Sequence, residues 1–248
     1  MSKEKELMTL SAEELAQLDE LFGDMDDLDG LGTVSLDRIG MPGSGGTQFA
    51  LPNPDDPEEP EMVNTIDAVI VAKQPHNVYY RDAYGSSDDN QPTCYSNDAE
   101  HGTMFGDCGA CKFNKFGSAE NGRGKACSNK VALYLMMEDK SFPTILDIPP
   151  SGIKSLKEYI KGLMTQKRKL AVVWTKIGLK RSKGTGAQFA QVTFTKIRDI
   201  TPAEAPAVKE QQDMSKDYIE RNKATTTATT NDFTDLTESN DDELPFDL

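Results

Sequence analysis

With 248 residues the chain can build one sizeable core or two small ones. Only 37% of its residues are hydrophobic, the mean hydropathy is −0.56, and no window of about eighteen apolar residues occurs, so no membrane span is expected and part of the chain is expected to stay unpacked. The formal net charge of −14 is segregated: residues 1–62 carry −13, residues 63–200 carry +7 and residues 201–248 carry −8, which sets a basic middle suited to phosphates between two acidic arms.

In chain order, Ser11 and Glu14 form a capping box for a short helix over 11–22, with Leu15, Leu18 and Phe22 at helical spacing. Residues 40–61 are rich in Gly, Pro and acid and read as linker, with a brief strand over 48–51. Residues 1–61 are therefore expected to form a largely flexible acidic arm. The β-branched run Ile66 to Val71 and the segment Asn77 to Arg81 predict strands, as does Val131 to Met137. Ser151 to Met164 has a helical pattern behind Pro149-Pro150, with Leu156, Ile160 and Leu163 on one face. Leu170 to Ile177 and Gln188 to Ile197 predict a hairpin whose tip, Gly178 to Gly186, is basic and glycine-containing. A helix over 201–223 follows, then a threonine-rich linker and an acidic tail over 224–248. Asn231 to Leu248 alone holds seven acids and no base. The fold class expected is mainly β, an OB-like barrel over 62–200 with one or two helices and a stapled insertion at 92–130.

Cys94, Cys108, Cys111 and Cys127 are the whole cysteine complement. The Cys-Gly-Ala-Cys knuckle places two thiolates on one tight turn, and the outer pair can complete a tetrahedron. The N-terminus lacks the apolar run of a secretory signal, so a reducing compartment is expected, where two structural disulfides would be out of place. Structural Zn2+ is the reading these residues support, with Lys112, Lys115, Arg123, Lys125 and Lys130 to offset the charge of four thiolates. A redox Cys-x-x-Cys pair is the rival reading. It leaves two cysteines without a role. His101 could replace one ligand or could be an ordinary surface histidine. No His-x-Glu accompanies the cysteines, so the metal is expected to be closed and structural.

Several stretches together resemble a bacteriophage family of zinc-containing, OB-like single-stranded DNA-binding proteins. They are Val78-Tyr79-Tyr80-Arg81-Asp82, Pro92 to Asp98, Cys108 to Ser118, Gly124-Lys125-Ala126-Cys127 and the hairpin from Ala171 to Ile197. The resemblance covers about residues 63–200. It implies a role in phage DNA replication, recombination or repair in the cytoplasm of an infected bacterium. Separately, Asp241-Asp242-Glu243-Leu244-Pro245-Phe246 is similar to the acidic tip of bacterial single-stranded DNA-binding proteins, which recruits replication or recombination partners. Here Asp247 and Leu248 follow, so Phe246 cannot supply the terminal carboxylate that the tip of that family presents.

OB folds hold single strands with a basic groove and with aromatic rings under the bases. The phosphate candidates are Arg81, Lys176, Lys180, Arg181 and Lys183; the stacking candidates are Tyr79, Tyr80, Trp174 and Phe189. Trp174 is equally placed to be core, since apolar residues occupy both parities of its strand. Phe189 alternates with Ala190, Val192 and Phe194 and so is expected to face outward. An acidic tail could also occupy the basic groove when DNA is absent. A homo-oligomer is compatible with the sequence. Two histidines, no phosphate-cradling loop, no nucleophile triad and no paired-carboxylate motif argue against an enzyme. The alternative class is an adaptor, or a DNA mimic, that binds host transcription or replication proteins through its acidic arms.

Overall fold

The computed structural model describes residues 35–42, 45–54, 56, 58–81, 91–120, 122–138, 140–183 and 188–234, together with Ser11. The side chains of Lys183, Gln188 and residues 224–234 fall outside that description. The chain divides into two units, Met1–Ser35 and Leu36–Leu248. The helix expected over 11–22, apart from Ser11, and the tip Asp241 to Phe246 lie outside the described residues.

The second unit is mainly β with two helices. Its strands are β1 (Arg38–Ile39), β2 (Phe49–Leu51), β3 (Glu61–Val63), β4 (Thr65–Tyr79), β5 (Cys94–Ser96), β6 (His101–Gly102), β7 (Gly106–Asp107), β8 (Ser128–Met136), β9 (Thr144–Ile148), β10 (Val173–Lys183) and β11 (Gln188–Asp199). The helices are α1 (Pro150–Thr165) and α2 (Ala205–Thr234). Seven strands form one curled, half-barrel sheet in the order β1-β9-β8-β4-β10-β11, with β5 on β4; among the described residues the path is open at β1 and β11. All its pairs are antiparallel except β1 with β9. No helix among the described residues is long and apolar enough to cross a membrane.

Both faces of the sheet are buried, which is why β4 begins as a near-continuous apolar run rather than an alternating one. One core gathers Ile66, Ala68, Ile70, Leu133, Leu135, Leu146, Ile148, Ile177 and Val192 beneath Leu156 of α1, and Ile39 and Phe49 join it. The other gathers Val69, Val71, Tyr134, Met136, Ile145 and Trp174 beneath Val208 and Ile219 of α2. The two strands expected over 66–71 and 77–81 are one strand of 15 residues. Pro75 sits where β4 has a neighbour on one edge only, because pairing with β10 ends at Val69 and pairing with β5 starts at Asn77; a proline there need not break a ladder bond.

Three expectations are corrected. Ile39 and Phe49, 5% and 0% exposed, lie in the core, so the folded body takes in residues from Leu36 onward and the arm does not extend to 61. Short strands between Gly and Pro turns read as linker because each is too brief to show a period. The hairpin tip is much shorter than 178–186: the strands stay paired out to Lys183 and Gln188, since Lys180, Arg181 and Ser182 carry no residue that breaks a ladder. Helix α2 runs to Thr234, past the expected end at 223, through a threonine-rich stretch with neither Gly nor Pro to stop it.

Helix α1 is pressed onto the sheet at Gly152, where an added Cβ would come within 2.9 Å of Ile148 Cγ2 and 3.4 Å of Val192 Cγ2. Gly152→Ala gains about 1 kcal/mol of helix propensity but meets buried β-branched side chains that cannot swing away, and overpacking costs about 1–3 kcal/mol. The variant is expected to be less stable than the parent in urea denaturation.

Candidate metal centre and nucleic-acid interface

The four cysteines come from four places. Cys94 opens β5, Cys108 follows β7, Cys111 precedes a 3-10 turn at Lys112–Asn114, and Cys127 precedes β8. The short β6–β7 hairpin turns at Gly106, whose φ of 64° belongs to the left-handed region that glycine tolerates. The Cys111 N–H donates to Asp107 O at 3.1 Å and the Asn114 N–H to Cys111 O at 3.1 Å, which closes the knuckle; the Asn114 side chain also donates to Cys108 O at 2.8 Å. Cys127 is held by its N–H to Phe113 O at 2.9 Å. Cys94, Cys108 and Cys127 are buried and Cys111 is half-buried.

All four line one small cavity, with Tyr79, Phe105 and Phe113. Gly102 has no room for a side chain there: a Cβ would lie 2.9 Å from Cys94 Sγ and 3.7 Å from Cys108 Sγ. Burial pushes the Cys127 thiol up to about 11, and Cys108, Cys111 and Cys94 add to the rise, while Lys125 opposes it. That is the behaviour of soft donors held together without a cation, and a divalent ion would invert it. The donor set, the cradle at Gly102 and the shared cavity fit a thiolate-bound metal such as zinc.

Among the described residues the one trio that brings three ligand atoms within 4.8 Å of one another is Asp98, Glu100 and His101. It is a hydrogen-bonded turn: Asp98 Oδ1 accepts from the N–H groups of Glu100 (2.7 Å) and His101 (2.8 Å) and from the Ser96 hydroxyl (2.9 Å), and Asp98 Oδ2 meets His101 Nδ1 at 2.9 Å. Burial would raise the Asp98 carboxyl, but the bonds from His101, Glu100 and Ser96 outweigh it and hold it well below the usual range. His101 is exposed and does not line the thiol cavity.

The expected DNA-contact residues do not converge on one site. Tyr79 is half-buried and stacked on Phe113 at 4.3 Å, with Phe105 edge-on at 6.1 Å. It braces the cysteine segment against β4, with one ring face taken by Phe113. Trp174 is 6% exposed; its indole N–H donates to Glu204 at 3.0 Å and Arg198 lies over its ring at 5.1 Å. As a platform it is corrected to a core residue, the outcome its strand parity left open. Tyr80 is half-buried and Arg81 exposed at the end of β4.

The remaining candidates lie on the β10–β11 arm. Pairing with β4 stops at Gly178, yet β10 and β11 continue as a two-stranded arm to Lys183 and Gln188. Leu179 and Val192 turn one face of the arm to the core, and Arg181 on that face donates to Gly45 O at 3.3 Å. By register the other face carries Lys176, Lys180, Phe189, Thr193 and Thr195. Lys176 and Lys180 are exposed and Phe189 is half-buried; Lys176 is paired with Asp67 at 2.9 Å.

An exposed aromatic was overlooked in the sequence. Phe116 is 84% exposed. The signal was available in Lys112-Phe113-Asn114-Lys115-Phe116, where bases and aromatics interleave.

Comparison with protein-family models, curated proteins and solved structures finds no match.

The hydrogen bond to the Asp98 carboxylate, reinforced by its charge, raises the His101 pKa above the ordinary 6.5. Stability from this pair is fully present below the unfolded-state value and fades as pH rises through the raised one. An NMR titration is expected to place the His101 midpoint above 6.5, and Asp98→Ala is expected to bring it back down.

Proposed function

We propose that this chain is a non-enzymatic single-stranded DNA-binding protein whose cysteine segment is stapled by one structural zinc. The observation that carries the reading is the β10–β11 arm. It extends beyond the rest of the sheet, is backed by the core on one face, and offers Lys176, Lys180 and Phe189 on the other. A two-stranded arm of that make-up suits a flexible strand, with phosphates on the lysines and a base on the ring, and it carries no pattern of groups that would read sequence. Arg81 and Tyr80 at the end of β4, and Arg181 and Lys183 along the arm, are the further candidate contacts.

The curled sheet is used here in the manner of an OB barrel, opened at its edge strands. Zinc would be held by Cys94, Cys108, Cys111 and Cys127. It supplies no chemistry to a substrate; it fixes a loop-rich segment that has little core of its own. The acidic tip Asp241, Asp242, Glu243, Leu244, Pro245, Phe246 would recruit replication or recombination proteins of a phage-infected bacterium, in its cytoplasm. Self-association on a coated strand fits the same role.

Fluorescent oligo-dT is expected to bind tightly, to lose affinity steeply with salt, and to be preferred over duplex of the same length. Lys180→Ala should lower the slope of log affinity against log salt by about 0.7. Equal binding to duplex, or none to the single strand at low salt, would remove this reading. Metal analysis of the purified protein should return one zinc per chain, lost in Cys111→Ser together with a fall in thermal stability.

A further inference from the structure

Between the cysteine segment and α1 lies a groove of about 650 Å3 that none of the residues expected to touch DNA enters. It is lined by the apolar Phe116, Pro150 and Ile153 and by Lys125, Lys154 and Lys157. One acid lines it, Glu158, which faces Lys154 at 3.9 Å. Cys127 borders both this groove and the thiol cavity.

Phe116 is presented, not merely left over. It sits at the start of a turn closed by the Gly117 N–H to Gly124 O at 2.7 Å, with Gly117 at φ 88° and Gly124 at φ 82°. Both positions lie in the left-handed region, so this loop is built on glycines. Lys125 Nζ lies 5.5 Å from the Phe116 ring centroid and is anchored by Asn114 Oδ1 at 3.0 Å and Asn129 Oδ1 at 2.9 Å. Asn114 in turn holds the carbonyl of Cys108. The ring and its lysine are thus tied to the cysteine knuckle, while Lys154 and Lys157 stand on the first two turns of a 16-residue helix packed on the core. Two separately anchored walls therefore face each other across the groove.

We propose that this groove is a binding site for an unpaired nucleobase and its flanking phosphates, with the base on Phe116 and the phosphates on Lys154 and Lys157. The inference deepens the single-strand reading and rests on it. Charge selects the occupant: three lysines against one paired acid favour a polyanion, and an aromatic with an open face selects a polyanion that carries flat rings. A duplex hides its base faces in the stack and cannot use Phe116. The site places the strand across the cysteine segment and α1, so it adds a second contact to that of the β10–β11 arm.

The test uses the full chain and three variants, Phe116→Ala, Lys154→Glu with Lys157→Glu, and Lys180→Glu. Each is titrated against fluorescein-labelled dT20, with thermal melts to check folding; the exposure of Phe116 makes an unchanged melt expected. In parallel, the parent protein is photo-crosslinked to the same oligonucleotide carrying 5-iodouracil, and the crosslinked peptide is mapped by mass spectrometry. Loss of one stacked base should weaken Phe116→Ala by roughly 5- to 150-fold. The double lysine variant should bind more weakly and with a shallower salt slope, and a crosslink should map to Phe116. If Phe116→Ala and the lysine variant bind like the parent while Lys180→Glu is weakened, the strand uses the arm alone and the groove proposal is overturned with the single-strand reading intact. If the parent binds no single strand at low salt, both fall together. If Phe116→Ala binds more tightly, the groove holds an acidic segment of the chain itself, and the proposal is overturned in favour of self-occupancy.

Discussion

One extra residue in the central strand decides which side chains reach the cysteine segment. The ladder between β4 and β8 shifts register between Ile70 and Ala72, and Val71 and Ala72 both pack into the core beneath α2. Before the bulge, odd residues such as Val69 face that core; after it, even residues such as Gln74 do, with Gln74 bonded to Tyr134 at 2.9 Å. Asn77 and Tyr79 are thereby turned to the opposite side, where both line the thiol cavity. Without the bulge they would point toward α2, and the cysteine segment would lose the ring that stacks on Phe113. Bulges near functional sites commonly re-aim side chains in this way. The carbonyl freed at Val71 is taken by the Gln212 side chain of α2 at 3.1 Å, so the irregularity leaves no buried acceptor unpaired there.

Contacts from β10 and β11 explain why the second helix is part of the body rather than an appendage. Glu204, just ahead of α2, accepts from the Trp174 indole, from both Arg198 amino groups and from the N–H and hydroxyl of Thr201. The Arg198 bonds lead in holding its carboxyl well below the ordinary range, with the Thr201 N–H next. Thr201 and Glu204 thus form half of a capping box, the carboxylate reaching back to the Thr201 N–H, and this turn docks on the one tryptophan. A residue that composition offers as a base platform is used instead to seat a helix. Its aromatic area is worth more buried against Val208 and Ile219 than exposed, given that its single N–H finds a partner at the edge of the core.

What could be read in the sequence follows from this layout. The β-branched run at Ile66 to Val71, helix α1 and the β10–β11 hairpin were legible, because each announces itself by local period. The placement of Tyr79 was not, since the bulge that turns it leaves no mark in an apolar run buried on both faces. The fate of Trp174 depended on Glu204, thirty residues away. Strands of two or three residues, such as β1 and β2, carry no period at all; only their burial, as at Phe49, shows that they belong to the core. Phe116 differs again: the bases and aromatics interleaved over residues 112–116 mark the stretch, but residue type alone does not say which of its two rings is half-buried and which is exposed.

Charge is arranged to match. The chain is acidic as a whole, yet several acids of its folded middle are spent in pairs: Asp147 with Arg38, Asp67 with Lys176, and Asp199 with Lys196 and Arg168. Pairs of this exposure add little to stability, but they consume negative charge within the body. The lysines that line the groove beside Phe116 are then opposed only by Glu158. A polyanion within about 10 Å of the groove, the screening length in 0.1 M salt, meets a local field to which these lysines contribute. The overall sign of the protein is thus a poor guide to the charge of any one surface on its folded body.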